Sequence, residues 1–372
     1  MAGDAHGRRD PMALETPAPL IAALLETRRV IGPVAKDGAI AYAPMAGPED
    51  LPRGLTDRQG PGAYRLAPGR PGSWFDYAVG PATWKAWLFP PRRRLWSARR
   101  EGGGFTLREE PEDWPPTAFF GVRPCEIAAM RVQDRVFAGR DHADPVYGRR
   151  RRETLIIAVQ CAHAAETCFC ASTGAGPRAA DGFDLALTEL DGRFLVEIGS
   201  DRGAELLDDL PVRPATAADH AEAGAASARV AAAQTRRLPP GAAALAAAPE
   251  HPHWDDVAAR CLGCGACALS CPTCFCSDVE DATDLAGARA ERSRVWSSCF
   301  ELDFSEVGGG PVRRSTRARY RQWLTHKLST WIDQFGVSGC VGCGRCIAWC
   351  PVGIDLTREA AAITEGGGDA DA

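Results

Sequence analysis

Two cysteine runs with the same spacing constrain this chain more than any other feature. They are Cys261-x2-Cys264-x2-Cys267-x3-Cys271 and Cys340-x2-Cys343-x2-Cys346-x3-Cys350, and a proline follows each. This spacing is typical of proteins that bind a pair of 4Fe-4S clusters. A cubane cluster needs four thiolates at the corners of a tetrahedron, and one loop with three closely spaced cysteines supplies three of them. The sequence therefore predicts a ferredoxin-like dicluster domain that transfers electrons.

The fourth cysteine of each run points away from the first three. In two-cluster ferredoxins this cysteine ligates the other cluster, so each run needs its counterpart. We therefore assign the ligands crosswise to two sites. Site 1 comprises Cys261, Cys264, Cys267 and Cys350, and site 2 comprises Cys340, Cys343, Cys346 and Cys271.

A pair of zinc ribbons is the structural alternative, because two Cys-x2-Cys pairs are also a zinc pattern. A closed zinc site uses four ligands and does not require the third and fourth cysteines of both runs. The spacing therefore favours clusters, and a zinc protein would give a colourless sample.

Composition restricts the remaining possibilities. The chain has 372 residues, a length typical of about two or three domains. Its fifteen cysteines indicate metal or redox ligands in a reducing compartment, so we expect a cytoplasmic protein. No signal peptide and no apolar run of membrane-spanning length is recognisable. The net charge of -5 argues against general nucleic-acid binding.

The N-terminal part, residues 1–215, reads as an α/β or α+β domain. Alternation around Asp-Gly turns predicts β-hairpins over 30–42 and 183–199. Between them, the apolar runs 118–122 and 154–160 predict two buried strands, joined by an amphipathic helix over 126–137. A strand-helix-strand unit follows from this order.

The remainder of the chain divides into two further parts. Residues 216–250 are rich in alanine and predict a surface helix followed by a linker, and residues 251–372 form the dicluster domain. This domain is predicted to carry a long helical insertion, 277–339, in which the basic segment 311–332 predicts an amphipathic helix. That helix could dock an acidic partner, balance the charge of anionic clusters or remain a solvated face. The basic run 149–152 predicts a solvated loop.

Four more cysteines point to one place in the N-terminal part. Cys125 and Cys161 follow the two predicted buried strands, and Cys168 and Cys170 lie on the loop after the second strand. The carboxyl ends of parallel strands share one edge, where ligands bind in open α/β sheets. We therefore predict a third cluster, at site 3: Cys125, Cys161, Cys168 and Cys170. Buried small side chains, a redox-active thiol pair and zinc binding are the alternatives.

Three cysteines have no assignment from the sequence: Cys274, Cys276 and Cys299. They could lie beside the dicluster sites or meet cysteines of the N-terminal part or of a partner chain. The residues do not select among these alternatives.

Motifs along almost the whole chain resemble one known family, the beta (iron–sulfur) subunit of cytosolic sulfhydrogenase-type nickel–iron hydrogenases. This family also includes the A subunit of anaerobic sulfite reductase. The motifs are VIGPV (30–34), PGAYRL (61–66), GPATWKAWLFPP (80–91), FFGVRPCEIAAM (119–130), TCFC (167–170), CPTCFC (271–276), HKL (326–328) and GCVGCGRCIAWCPVGIDL (339–356).

The resemblance implies an electron-transfer subunit that carries two 4Fe-4S clusters, and a third if site 3 is filled. Its partners would be a flavin subunit that reacts with NAD(P) and the small and large subunits of a nickel–iron hydrogenase. A relay subunit of an anaerobic sulfite reductase is the alternative within the family. From a different class, the extra cysteines could reduce sulfur or disulfides, which polysulfide reduction by the isolated chain would reveal.

The residues themselves offer no site for substrate chemistry. No Rossmann fingerprint, Walker loop, Ser-His-Asp set or paired carboxylates can be defended in this sequence. We therefore expect a non-catalytic subunit of an oxidoreductase complex, with the nicotinamide, flavin and nickel sites on other chains.

Overall fold

The computed structural model describes residues 9–78, 80–139 and 142–365. In these ranges the strands are β1 (Met12–Leu14), β2 (Arg29–Lys36), β3 (Ala39–Pro44), β4 (Leu55–Gly60), β5 (Ala63–Pro68), β6 (Arg92–Glu101), β7 (Gly104–Glu109), β8 (Thr117–Val122), β9 (Leu155–Val159), β10 (Leu185–Glu189), β11 (Phe194–Ile198), β12 (Arg213–Pro214), β13 (Ser277–Thr283), β14 (Arg289–Trp296), β15 (Glu306–Val307) and β16 (Gly310–Pro311).

The α-helices of the same ranges are α1 (Ala18–Thr27), α2 (Lys85–Leu88), α3 (Pro124–Phe137), α4 (Pro145–Glu153), α5 (Asp201–Glu205), α6 (Ala217–Ala232), α7 (His253–Arg260), α8 (Ala266–Leu269), α9 (Thr316–Thr325), α10 (Trp331–Phe335), α11 (Arg345–Ala348) and α12 (Leu356–Thr364). A π-helical turn, His326–Thr330, joins α9 to α10. Short 3-10 turns lie at Pro48–Asp50, Cys170–Thr173, Pro240–Ala247 and Asp303–Ser305.

An eight-stranded sheet forms the centre of the N-terminal part, in the order β12-β1-β11-β10-β9-β8-β2-β3. Its four middle strands, β10, β9, β8 and β2, run parallel, and the outer strands pair antiparallel. Every residue of β8 and β9 is buried, because side chains pack on both faces of the sheet. This explains why both strands are continuous apolar runs in the sequence. The fold is mixed α/β.

The predicted local elements of the N-terminal part are confirmed. Strands β2 and β3 form the first hairpin, and β10 and β11 form the second. Strands β8 and β9 are adjacent and parallel, and α3 begins two residues after β8. The connection also contains α4, which the sequence analysis missed. The ends of β8 and β9 therefore lie side by side, as the prediction of site 3 requires.

A separate apolar core supports the C-terminal part. It gathers Trp254 of α7, Leu324 of α9, Ile347 of α11 and Leu356 of α12, all nearly inaccessible to solvent. Phe169, which lies between two cysteines of site 3, packs into the same core. The N-terminal and C-terminal parts are thus held together at the cysteine sites.

The alanine-rich stretch differs in its second half from the predicted linker. Residues Ala217–Ala232 form the expected helix, α6. The 3-10 turn Pro240–Ala247 then buries Leu245 completely in the C-terminal core, and Ser329 donates a hydrogen bond to the Ala243 carbonyl at 2.6 Å. A single large apolar residue among alanines is a weak sequence signal, although it anchors this turn.

The insertion is not wholly helical, in contrast to the prediction. It begins with the hairpin β13–β14, and β14 pairs with β6 to make the sheet β13-β14-β6-β7. Its strands carry charged pairs such as Arg292–Asp281 and Arg92–Glu280 on exposed surfaces. The usual apolar alternation of a strand is therefore absent from the sequence. The predicted basic helix is present as α9, the π turn and α10.

The basic run 149–152 lies in helix α4 and not in a loop, which corrects the prediction. Arg150 donates to Glu112 at 2.7 Å and to the Trp87 carbonyl at 2.8 Å, so the run is held by tertiary partners that the local sequence does not show. Among the described helices, none is both long enough and apolar enough to cross a membrane.

Candidate iron–sulfur centres

The two cysteine runs fold alike. In each run a loop leads through a glycine with positive φ, Gly265 or Gly344, into a single helical turn, α8 or α11. The third cysteine of the run, Cys267 or Cys346, lies in that turn. Equal spacing thus gives equal local structure, and the first three cysteines of each run line one cavity.

Site 1 surrounds a cavity with about 440 Å³ of empty space. All four cysteines assigned to it line this cavity, and so does Cys346 of site 2. Aromatic rings of Phe300, Tyr320 and Trp323 form part of the wall. Burial raises the pKa of the Cys261 thiol, whereas the Gly263 N–H, which donates to its sulfur at 3.4 Å, acts in the opposite direction.

Site 2 is a smaller cavity, with about 270 Å³ of empty space. The cavity wall contains all four cysteines assigned to the site, together with Lys327. The Lys327 ammonium lies 3.3 Å from the sulfur of Cys271 and 3.0 Å from the Thr273 hydroxyl. The Gly342 N–H donates to the sulfur of Cys340 at 3.5 Å. Such backbone N–H groups stabilise anionic sulfur and help to set cluster potentials.

Site 3 brings together the four cysteines of the N-terminal part. Cys125, Cys161, Cys168 and Cys170 line one cavity with about 330 Å³ of empty space. Helix α6 ends close to this cavity, and Gln234, two residues beyond it, donates to the sulfur of Cys170 at 3.3 Å. Gln234 also accepts the Ala171 N–H at 3.0 Å. Gln234 was not predicted from the sequence, because nothing in the alanine-rich stretch marks one glutamine as a site residue.

The three cavities are neighbours and form a row. Cys346 lines both site 1 and site 2, and Cys343 lines both site 2 and site 3. Within the described residues, no three His, Cys, Asp or Glu side chains are arranged to hold a single metal ion. The predicted ligand sets therefore meet around cavities, and each cavity shares one lining cysteine with the next. That these thiols bind clusters stays a prediction.

Two comparisons with known proteins bear on the family of the chain. Residues 260–354 match the 4Fe-4S dicluster domain family, which covers both cysteine runs. Sulfhydrogenase 2 subunit beta of Pyrococcus furiosus is 34% identical over 255 residues, covering 66% of this chain and 74% of the relative. The chain belongs to the sulfhydrogenase beta-subunit family. No solved structure matches it.

The match to the 4Fe-4S dicluster domain family confirms that this domain is of the predicted iron–sulfur type. Buried thiolates are costly, because burial favours the neutral thiol. Nearby cations offset this cost. Burial by itself lowers the pKa of Lys327, but the thiolates of Cys271 and Cys274 raise it well above its ordinary value. The donor sets and their counter-charges together fit anionic clusters.

Arg345 supplies a second buried cation, between sites 2 and 3. It is fully buried and forms an ion pair with Glu126 of α3, which is also buried. It donates further hydrogen bonds to the carbonyls of Gly80 at 2.7 Å and Ala82 at 3.2 Å. The pKa of Glu126 is raised by burial, and the Arg345 guanidinium opposes this effect. This pair ties the second cysteine run of the beta-subunit family member to helix α3 of its N-terminal part.

Arg123 is the third buried cation and lies beside site 3. It lines the cavity and donates to the Tyr77 carbonyl at 2.8 Å and the Phe75 carbonyl at 3.2 Å. Burial raises the pKa of the Cys161 thiol, and Arg123 lowers it through charge and a hydrogen bond. Both arginines could have been found from the sequence, because each lies within two residues of a predicted cysteine ligand, in RPC (123–125) and GRC (344–346).

Proposed function

We propose that this chain is the electron-transfer subunit of a sulfhydrogenase-type complex. Electrons pass along the row of sites 3, 2 and 1, between a flavin subunit that reacts with NAD(P) and a nickel–iron hydrogenase module. The proposal rests on the observation that neighbouring cavities share a lining cysteine: Cys346 lines the cavities of sites 1 and 2, and Cys343 lines those of sites 2 and 3. Sites that share a lining residue are neighbours, which suits transfer between them.

The role of the protein is to hold and tune the sites. A bound 4Fe-4S cluster accepts and releases one electron at a time. The twelve cysteines of sites 1 to 3 supply four ligands to each cluster. The backbone N–H groups of Gly263, Gly342 and Ile354 donate to sulfur atoms of sites 1 and 2. Arg123, Arg345 and Lys327 balance negative charge in the row. Aromatic side chains around site 1 keep water from its inner wall.

Site 1 offers the row an exit to the surface. Cys264 is the one exposed cysteine among the described residues. Three large apolar side chains around the cysteine runs are also exposed: Leu262 at 66%, Leu269 at 44% and Val352 at 40%. Exposed apolar surface of this kind marks interaction sites. We assign this rim to the partner subunit that exchanges electrons with site 1.

The choice of partners follows the name of the relative, a sulfhydrogenase beta subunit. That name favours a hydrogenase module, with small and large subunits, over a sulfite reductase. The two assemblies differ in their metal groups, because one contains nickel and the other sirohaem. Metal analysis of the complex purified through this chain tests the choice: nickel is expected, and sirohaem without nickel would contradict it.

The relay is tested by Cys264→Ala in the assembled complex. Loss of this thiol removes a ligand of site 1, so we expect about four fewer irons per chain. Transfer between NAD(P)H and the hydrogenase module should stop. Reduction of an artificial dye by the flavin subunit should continue, because it does not use this chain.

The matched control is Leu262→Ala, which lies in the same loop and carries no ligand. It should keep the full iron content and reduce only the rate of transfer to the partner. Equal loss of dye reduction and of through-chain transfer in Cys264→Ala would contradict a pure relay.

A further inference from the structure

The three cysteines without an assignment line one cavity of their own. Cys274, Cys276 and Cys299 surround this cavity, as the cysteines of sites 1 to 3 surround theirs. All three thiols are partly buried. His326 and Lys327 line the same cavity.

The hairpin of the insertion brings these cysteines together. Ser277 pairs with Trp296 at the open end of β13 and β14, so the chain leaves the two strands side by side. Cys276 directly precedes this pair, and the Ser297 N–H donates to its carbonyl at 3.0 Å. Cys299 follows two residues later. Residues 23 positions apart in the sequence thus reach one cavity because the intervening segment folds back on itself.

The opposite wall is formed by the π turn His326–Thr330. A π turn between two α-helices is rare, and the π turns that do occur often lie at functional sites. Here it interrupts the helix at the two residues that line the cavity, His326 and Lys327. The His326 ring packs against the rings of Phe275 and Trp331, with centroids 6.3 Å and 5.3 Å away. These contacts fix the ring at the cavity wall.

We propose that Cys274, Cys276, Cys299 and His326 bind a fourth iron–sulfur cluster, at a position that we name site 4. Three thiolates and one imidazole are ligands that iron–sulfur centres use. The proposal concerns a site outside the relay of sites 1 to 3, and it does not depend on whether site 3 is filled.

The surroundings of site 4 resemble those of sites 1 and 2. The Lys327 ammonium lies 3.5 Å from the sulfur of Cys274. Lys85, also buried, lies near Cys274 and Cys276. Buried cations thus lie beside these sulfurs, which a set of inert buried thiols does not need.

Site 4 adjoins two members of the row. Its cavity shares Trp323 with site 1, and it shares Thr273 and Lys327 with site 2. The Lys327 ammonium joins the two sites, because it lies 3.5 Å from the sulfur of Cys274 and 3.3 Å from the sulfur of Cys271. A cluster at site 4 would therefore give the dicluster domain a branch, reached from either of its two sites.

The test compares iron and acid-labile sulfide in the full chain with those in Cys276→Ser/Cys299→Ser. With all sites filled, the unchanged chain holds about sixteen irons, at four per cluster. The double variant should hold about twelve and lose one electron paramagnetic resonance signal. Ser297→Ala, at the same end of the hairpin, is the matched control and should keep all signals. Cys161→Ser should remove a different signal, that of site 3.

Each other outcome overturns the proposal. An unchanged iron content and spectrum in the double variant means that site 4 holds no cluster. One zinc lost in place of about four irons means a zinc site. If the double variant does not fold, Cys161→Ser decides, because without site 3 the chain still holds about twelve irons if site 4 is filled and only about eight if it is not.

His326 is tested separately. His326→Ala should alter the resonance signal of site 4 and leave the signals of sites 1 and 3 unchanged, and His326→Cys should preserve a four-iron cluster with a shifted potential. Four unchanged signals in His326→Ala would remove His326 from the ligand set. The relay proposal is unaffected by any of these results, because its test depends on Cys264.

Discussion

Buried cations stabilise negative charge on the cysteines of sites 1 to 3. Lys327, Arg123 and Arg345 are each less than a tenth exposed, and each lies beside thiols of sites 1 to 3. A thiolate without a counter-charge would be strongly disfavoured in such surroundings. The same cations also act on a bound cluster, because positive charge stabilises its reduced, more negative state.

Lys327→Gln should lower the reduction potential of the cluster at site 2. The ammonium lies 3.3 Å from the sulfur of Cys271, so its removal makes the added electron less stable. Potentiometric titration followed by electron paramagnetic resonance measures the change. Lys327→Arg should shift the potential less, because it keeps the charge.

The control for Lys327→Gln is Arg92→Gln, which removes a cation from an exposed pair with Glu280. It should leave all potentials unchanged, since solvent screens that charge. A potential at site 2 that is the same in Lys327→Gln as in the unchanged protein would contradict this electrostatic role.

The second cysteine run is the element that joins the two parts of the molecule. Its loop accepts a hydrogen bond at the Gly342 carbonyl from the Phe169 N–H, at 2.9 Å. A Cβ added at Gly344 would lie 2.3 Å from the Thr167 carbonyl oxygen. The loops of sites 2 and 3 are therefore in backbone contact, and only a glycine permits this approach.

Gly344→Ala should destabilise the protein and reduce iron at sites 2 and 3. The left-handed backbone at φ +75° costs an alanine roughly 1–2 kcal/mol, and the clash with Thr167 adds to this cost. Thermal unfolding and iron analysis under anaerobic conditions measure both effects.

Gly336→Ala is the matched control for Gly344→Ala. Its φ of +71° is nearly the same, but nothing lies within 4 Å of the added Cβ. It should show the backbone cost alone, with full iron content. Equal destabilisation and equal iron in the two variants would contradict the close contact between the loops.

At the scale of the whole molecule, the sequence predicted what depends on local pattern. The cysteine runs, the two hairpins, the strands β8 and β9 and helix α3 all carry strong periodic or spacing signals. The grouping of Cys125 with Cys161 also followed, because adjacent parallel strands place their ends together. The ligand roles at sites 1 to 3 remain predictions.

What could not be predicted depends on contacts between distant segments. The hairpin β13–β14 pairs with β6, nearly 200 residues earlier. Its strands are so polar that the sequence shows no apolar alternation from which to predict them. Gln234 reaches site 3 only because of how α6 and the following residues pack. The shared walls at Cys343 and Cys346, which set the order of the sites, likewise exist only in the folded chain.

The central claim, a row of cluster sites within one chain, is tested most directly by iron and acid-labile sulfide per chain in anaerobically purified protein. Sites 1 to 3 predict at least about twelve of each, at four per cluster, with site 4 adding about four more. About eight would leave clusters only at sites 1 and 2 and would remove both site 3 and site 4. Zinc in place of iron would contradict the electron-transfer account altogether.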